Sequence, residues 1–219
     1  MFAVDIETIP NTNLIDLLQE PEVKLGNTKD PVKIKEKIEK AKQKQIDDMA
    51  LNPFFSRICS IAIHGNDISE YIVMDDVSDA GELELLNWFF PKIAVTSTYS
   101  PTIISWNGIV FDIPFLYKRA MLLKYALPTG SFPLSHWIKR YTHIPHCDLK
   151  QEFAGWDKNK HISLETASNI VLGKSKKEHD FTKFIDLIES GKGNKIGIYN
   201  INDAILTYEI YEKSKGYLF

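Results

Sequence analysis

The sequence predicts an α/β fold, a mixed sheet flanked by helices, and three observations carry that reading. Strand-like alternation dominates the first half of the chain and helical periodicity the second. No repeat, low-complexity tract or composition shift divides the two. The 219 residues, 44% hydrophobic and 25% charged, suffice for one sizeable core of ordinary globular type. Residues 1–219 are therefore read as a single domain.

Phe2 to Glu7 alternates, with Phe2, Val4 and Ile6 on one face and Ala3, Asp5 and Glu7 on the other. Thr8-Ile9-Pro10 ends this strand, because proline has no amide to give to a ladder. Pro31 to Ala50 turns helical, with Ile34, Ile38, Ala41 and Met49 as a stripe among charged residues. Its six lysines (33, 35, 37, 40, 42 and 44) face four acids (Glu36, Glu39, Asp47 and Asp48), leaving +2. This lysine-rich insertion over 31–50 reads as a solvated surface helix, with phosphate tracking as the alternative. Arg57 to His64 and Glu70 to Met74 read as strands around a Gly65-Asn66-Asp67 turn. A short helix over Glu82 to Phe90 stops at Pro91, and Thr102 to Trp106 is a strand broken by Asn107-Gly108. Asp112 is placed to cap a helix reaching about Lys124, and Pro114 is tolerated in its first turn. Pro128 to Pro145, rich in proline and aromatics, is expected to be an irregular connection or lid. Helices follow at about Ser163 to Val171, Phe181 to Ser190 and Ile196 to Lys213.

Composition excludes several classes. Apolar runs such as Ser56 to His64, interrupted by Arg57, are too short to cross a membrane. The start, Met-Phe-Ala-Val-Asp, lacks the basic region of a secretory leader. Cys59 and Cys147 make no disulfide framework, so a reducing, cytoplasmic setting is expected. A net charge of −3 argues against binding nucleic acid by charge alone, though not against handling it through metal ions.

Asp5 and Glu7 stand out within this frame. Two apart on a strand flanked by Val4 and Ile6, they leave the same face, where two like charges in poor solvent would force one to keep its proton. A divalent cation removes that conflict; an edge strand with one wet face is the simpler alternative. Asp112 follows a strand end and an aromatic residue, where it could also be a plain helix cap. Tyr199 and Asp203, at i and i+4, share a helix face, with Ile198, Ile201, Ile205 and Tyr208 read as the neighbouring apolar stripe. Taken alone, that pair is a tyrosine hydrogen-bonded to a surface aspartate. Together, four carboxylates converging from two strand ends and two helices would ligate two Mg²⁺ or Mn²⁺ ions about 3.5–4 Å apart. They carry −4 of the net −3, so the remainder of the chain sums to about +1, which a nucleic acid can approach.

The motifs Asp5-Ile6-Glu7-Thr8, Asn107-x-x-x-Phe111-Asp112-x-Pro114-x-Leu116 and Tyr199-x-x-x-Asp203 with Thr207-Tyr208 resemble those of DEDD-type 3′–5′ exonucleases. The likeness is to the subclass with tyrosine in its last motif, the proofreading domains of family-B DNA polymerases and the stand-alone exonucleases related to them. Asn52-Pro53, Cys147-Asp148-Leu149, Ser163-Leu164-Glu165 and Leu172-Gly173-Lys174 resemble the stand-alone proteins too; the 31–50 helix departs from them. The resemblance implies a ribonuclease-H-like fold and hydrolysis at single-stranded 3′ ends, DNA before RNA. It implies metal ligation by Asp5, Glu7, Asp112 and Asp203, with Tyr199 orienting or helping to activate the attacking water. Thr8 and Asn107 become candidate contacts to the terminal nucleotide, and Phe111 or Trp106 a surface for its base, Trp106 being read rather as core. A polymerase or replication partner in trans fits the same resemblance.

Two decoys are set aside. His143, His146 and Cys147 lack the ligand spacing of a zinc site. Gly173-Lys174-Ser175 and Gly191-Lys192-Gly193 lack the spacing of a phosphate-binding loop, and Lys174, Lys176 and Lys177 read as loop solubility. The rival functions are a catalytically degenerate nucleic-acid-binding subunit, a 3′–5′ exoribonuclease, and another nuclease of ribonuclease-H-like fold.

Overall fold

The computed structural model describes residues 1–24, 26, 28, 30–94, 100–175 and 184–219. In chain order the sheet contains β1 (Phe2–Pro10), β2 (Ser56–His64), β3 (Ser69–Val73), β4 (Ile103–Ser105) and β5 (His146–Asp148). The helices are α1 (Pro31–Met49), α2 (Asp79–Phe89), α3 (Asp112–Leu122), α4 (Leu134–Trp137), α5 (Leu149–Ala154), α6 (Leu164–Leu172), α7 (Phe184–Glu189) and α8 (Asn194–Ser214). The strands lie in the order β3-β2-β1-β4-β5. β2 runs antiparallel to β1 and β3, while β1, β4 and β5 run parallel, so the sheet is mixed as expected.

β1 is the central strand, and its alternation sorts two layers of core. Phe2, Val4 and Ile6 pack with Leu85, Leu86 and Phe89 of α2 and with Ile113 and Leu116 of α3. On the opposite face Ala3 joins Ile104, Cys147, Leu164 of α6 and Leu206 and Ile210 of α8. Asp5 and Glu7 continue the Ala3 face, opposite Ala62 and Ser60 of β2, and a bulge follows Glu7. The acids thus lie where α8 crosses the middle of the sheet, on a central strand and not on a wet edge.

Three elements depart from the sequence expectations. The buried face of α8 is Ile196, Tyr199, Asn200, Asp203, Leu206, Thr207 and Ile210, whereas Ile198 is 47% exposed. Isoleucines on both sides of the helix obscured which stripe faces inward, so Tyr199 and Asp203 lie in the packed face and not at its border. Asp112 is the first residue of α3, whose N-cap is Phe111, so its carboxylate does not cap the helix. The stretch 128–145 holds the short helix α4, and β5 follows it directly. α1 is exposed along most of its length with only Met49 buried, as a solvated helix should be. Lys176, Lys177 and the start of the Phe181 helix lie outside the described residues.

Candidate active site

Carboxylate oxygens of Asp5, Glu7 and Asp203 approach within 4.8 Å of one another, the sole such cluster of potential metal ligands among the described residues. β1 supplies two of them through its two-residue period and α8 the third. Asn200, next to Tyr199 on the buried face, donates from Nδ2 to Asp5 Oδ2 at 2.6 Å and accepts from the Ser60 hydroxyl at 2.9 Å. This buried chain fixes the rotamer of Asp5 through β2. Close approach of α8 to the sheet depends on Gly197, where a Cβ would lie 2.1 Å from the ring of Tyr71.

Asp112 stands outside the trio. Its Oδ1 accepts from the backbone amide of Ile6, 3.2 Å away and between Asp5 and Glu7 in the strand. Burial pushes its carboxyl up to about 7, against the pull of its backbone hydrogen bonds and with a smaller push from Asp148. Tyr199 is 4% exposed, and burial, the charges of Asp203, Glu7 and Asp5, and a hydrogen bond to Asp203 hold its hydroxyl well above the usual phenol range. That hydroxyl therefore keeps its proton and acts as a donor.

The three substrate candidates surround this cluster differently. Thr8 follows the bulge and donates its hydroxyl to the Ala50 carbonyl at 2.6 Å, tying β1 to the end of α1. Beside it opens a cavity of about 440 Å³ lined by Thr8, Pro10, Gln43, Ile46, Ala50 and Ile185. Asn107 adopts a left-handed conformation at φ 79° in the loop after β4. Phe111, partly buried, packs against Phe115 with ring centroids 5.2 Å apart. Trp106 packs against Phe153 at the edge of the second core layer, in keeping with its reading as core.

β5 contributes two residues that sequence reasoning did not assign to the site. Asp148, fully buried, accepts at Oδ1 from the amides of Asn107 (2.9 Å) and Lys150 (3.1 Å) and at Oδ2 from Ile109 (3.0 Å). His146 Nδ1 faces the Trp137 carbonyl at 3.1 Å, and a carbonyl can only accept, so Nδ1 carries the proton. Nε2 then accepts from the Ser105 hydroxyl (2.7 Å), whose oxygen accepts from the Gly108 amide (3.0 Å). Burial depresses His146 to about 4, consistent with this neutral tautomer. A buried Asn in an apolar helix and an acid closing a short strand were the available signals for Asn200 and Asp148. Neither has a spacing rule of its own. With His146 so engaged and Cys147 buried in the second core layer, the zinc decoy has no support.

A hard-cation site fits these residues by donor chemistry: anionic oxygens, brought together partly out of water, with Asp112 pressed toward its neutral form nearby. Lys174 pairs with Glu209 at 2.6 Å, in keeping with a surface role. Among the described residues no helix is long and apolar enough to cross a membrane.

Comparison with known proteins bears on the fold and the family. Residues 50–217 match a family described as "Predicted 3'-5' exonuclease related to the exonuclease domain of PolB". The DNA polymerase of Autographa californica nuclear polyhedrosis virus is 28% identical over 167 residues, covering 68% of this chain and 16% of the polymerase. DNA polymerase 1 of Aeropyrum pernix is 28% identical over 127 residues, covering 54% of this chain and 13% of its own length. The chain thus spans under a fifth of either. The family B DNA polymerase of Pyrobaculum calidifontis superposes with a TM-score of 0.54 at 15% identity, over 97% of this chain and 24% of that one. That likeness extends the ribonuclease-H-like fold to β1, whose acids precede the matched span of the family. The chain belongs to the family of 3′–5′ exonucleases related to the exonuclease domain of PolB.

Proposed function

We propose that this chain removes nucleotides from single-stranded 3′ ends, DNA in preference to RNA, by metal-dependent phosphodiester hydrolysis. The observation that carries the reading is the approach of Asp5, Glu7 and Asp203 to within 4.8 Å. These three, with Asp112 as the fourth carboxylate, are the proposed ligands of two Mg²⁺ or Mn²⁺ ions. Bound there, the ions would acidify a water and stabilise charge on the phosphate and the leaving 3′ oxygen. Asn200 holds Asp5 in place, and the Ile6 amide holds Asp112 against β1. Tyr199, kept protonated, donates to Asp203, and its hydroxyl oxygen is the proposed acceptor that orients the attacking water, so it does not act as a base. Thr8, whose proton is committed to Ala50, offers substrate only an acceptor. Asn107 and the ring of Phe111 are the proposed contacts to the terminal nucleotide.

In this reading 1–219 acts as one exonuclease domain, and the 31–50 insertion lines the cavity beside Thr8 through Gln43 and Ile46. A polymerase acting in trans is the proposed partner and the cytoplasm the proposed setting. The test is a 5′-labelled single-stranded DNA or RNA incubated with the chain and Mg²⁺, Mn²⁺ or EDTA. A descending ladder with metal, absent with EDTA and stronger on DNA, is the expected result. Internal cuts, cleavage of closed circles or metal-independent cleavage would overturn it.

A further inference from the structure

We propose that Asp148 is a positioning residue for this site, fixing the loop between β4 and α3 and through it the place of Asp112 against β1. The inference rests on the function proposed above.

Asp148 is wholly buried, and its carboxylate spans two elements. One oxygen receives the amide of Asn107 and the other that of Ile109, 2.9 and 3.0 Å away, while Lys150 ties the acid to the first turn of α5. Buried charge is costly unless hydrogen-bonded, so these donors must keep their places for the acid to be accommodated. The loop therefore cannot shift without stranding both the acid and its own amides. Between the two anchored residues lies Gly108, where a Cβ would fall 2.4 Å from the Ser105 hydroxyl oxygen, itself held by His146. The loop is thus pinned from β5 on both sides. Three residues past Ile109 the chain enters α3, whose first carboxylate meets the Ile6 amide between Asp5 and Glu7. Asp148 reaches this site through the loop amides it holds, and its charge also presses on Asp112.

The test compares wild type, Asp148→Asn, Asp148→Ala and Asp5→Asn in single-turnover cleavage of a 5′-labelled oligonucleotide across a Mn²⁺ titration. Assays run at a temperature where circular dichroism shows each variant folded. Asn keeps one acceptor oxygen and Ala none. The expected result is a rise in half-saturating Mn²⁺ of about tenfold for Asn and more for Ala, with the rate at saturating Mn²⁺ recovering to within about threefold of wild type. Lower stability alone would not move the metal dependence of a folded enzyme. Half-saturation within twofold of wild type, or equal shifts for Asn and Ala, would overturn the positioning role, the second because only charge would then matter. Independently of any variant, amide exchange in wild type should protect Asn107 and Ile109 as strongly as the amides of β4; exchange at open-loop rates would also overturn it. Cleavage by Asp5→Asn equal to wild type would instead sink the function reading while leaving the exchange result to judge the loop.

Discussion

Two regions of the molecule gather acids in poor solvent and answer the problem differently. Between α2, α3 and β2, Glu82 is wholly buried, paired through both oxygens with Arg119 (2.8 and 2.7 Å) and accepting the Ile58 amide at 2.9 Å. Arg119 also donates to the Pro53 carbonyl, so the pair staples the entry to β2 onto the two helices. Between β1 and α8, by contrast, Asp5, Glu7 and Asp203 are assembled on one another, with Tyr199 and Asn200 as neutral donors beside them. The first arrangement matches its charge within the fold and gives stability once made. The second concentrates like charge, which works against the folded chain and which a bound cation would relieve. Substituting an acid in each region should accordingly act on different quantities.

The largest effect is expected from Asp203→Asn. Cleavage in a single-turnover assay should fall to the EDTA background, while the metal-free thermal midpoint holds or rises, because one of three crowded charges is gone and the amide oxygen still accepts from Tyr199. A variant that loses stability as it loses activity would erase the contrast with Glu82. Glu82→Gln should do the reverse. It leaves Arg119 charged and poorly matched in the interior, which costs about 3–5 kcal/mol in urea unfolding. Cleavage per folded molecule should stay unchanged.

Tyr199→Phe sharpens the comparison within the site. If the hydroxyl orients the attacking water, single-turnover cleavage should drop roughly 10–100-fold at saturating metal, the low end of what such groups contribute. A change within about twofold would reduce Tyr199 to packing, since that is under about 0.5 kcal/mol of barrier.

A pH series probes the acid site through the sign of its slope. Folded Asp112 keeps its proton up to about 7, whereas its ordinary value is 3.8, so between these the unfolded chain binds fewer protons. Metal-free wild type should therefore lose stability from this group as pH rises through that window. Asp112→Asn escapes the loss and still accepts from Ile6. The two proteins should match near pH 4 and differ by at least ~1 kcal/mol at pH 8 in urea unfolding, the variant being the more stable. His146 acts in the opposite sense, being depressed from 6.5 to about 4, so its share of stability is present above 6.5 and lost as pH falls. Glutamine at Glu82 should leave both slopes in place; a flattened slope in that variant would tie the two regions together.

What the sequence disclosed, and what it hid, follows from the same physics. Asp5 and Glu7 were legible because a strand has a period of two, and a pair of acids on one face of an apolar strand has few stable explanations. Tyr199 and Asp203 were legible as a pair, yet the inward face of α8 was not, since Ile198, Ile201 and Ile205 offered a second apolar stripe. Asp112 was located as a candidate ligand, but the helix-cap alternative weighed beside that role does not hold. Its partner, the Ile6 amide, is 106 residues away, and no local rule reports a contact of that kind. β5 was missed altogether. Its three residues are His, Cys and Asp, all buried, and a strand that short shows no alternation to read. The polar anchors Asn200, Asp148 and His146 share this invisibility, since each earns its place through a partner on another element.

The most direct test of the account is a calorimetric Mn²⁺ titration of wild type and Asp5→Asn, with thermal midpoints followed in parallel. Asn keeps an acceptor for the Asn200 amide, so the comparison isolates the charge of the trio. Wild type should bind Mn²⁺ and gain a midpoint that climbs with its concentration, and the variant should lose most of both. Equal binding and equal midpoint shifts in the two proteins would contradict it.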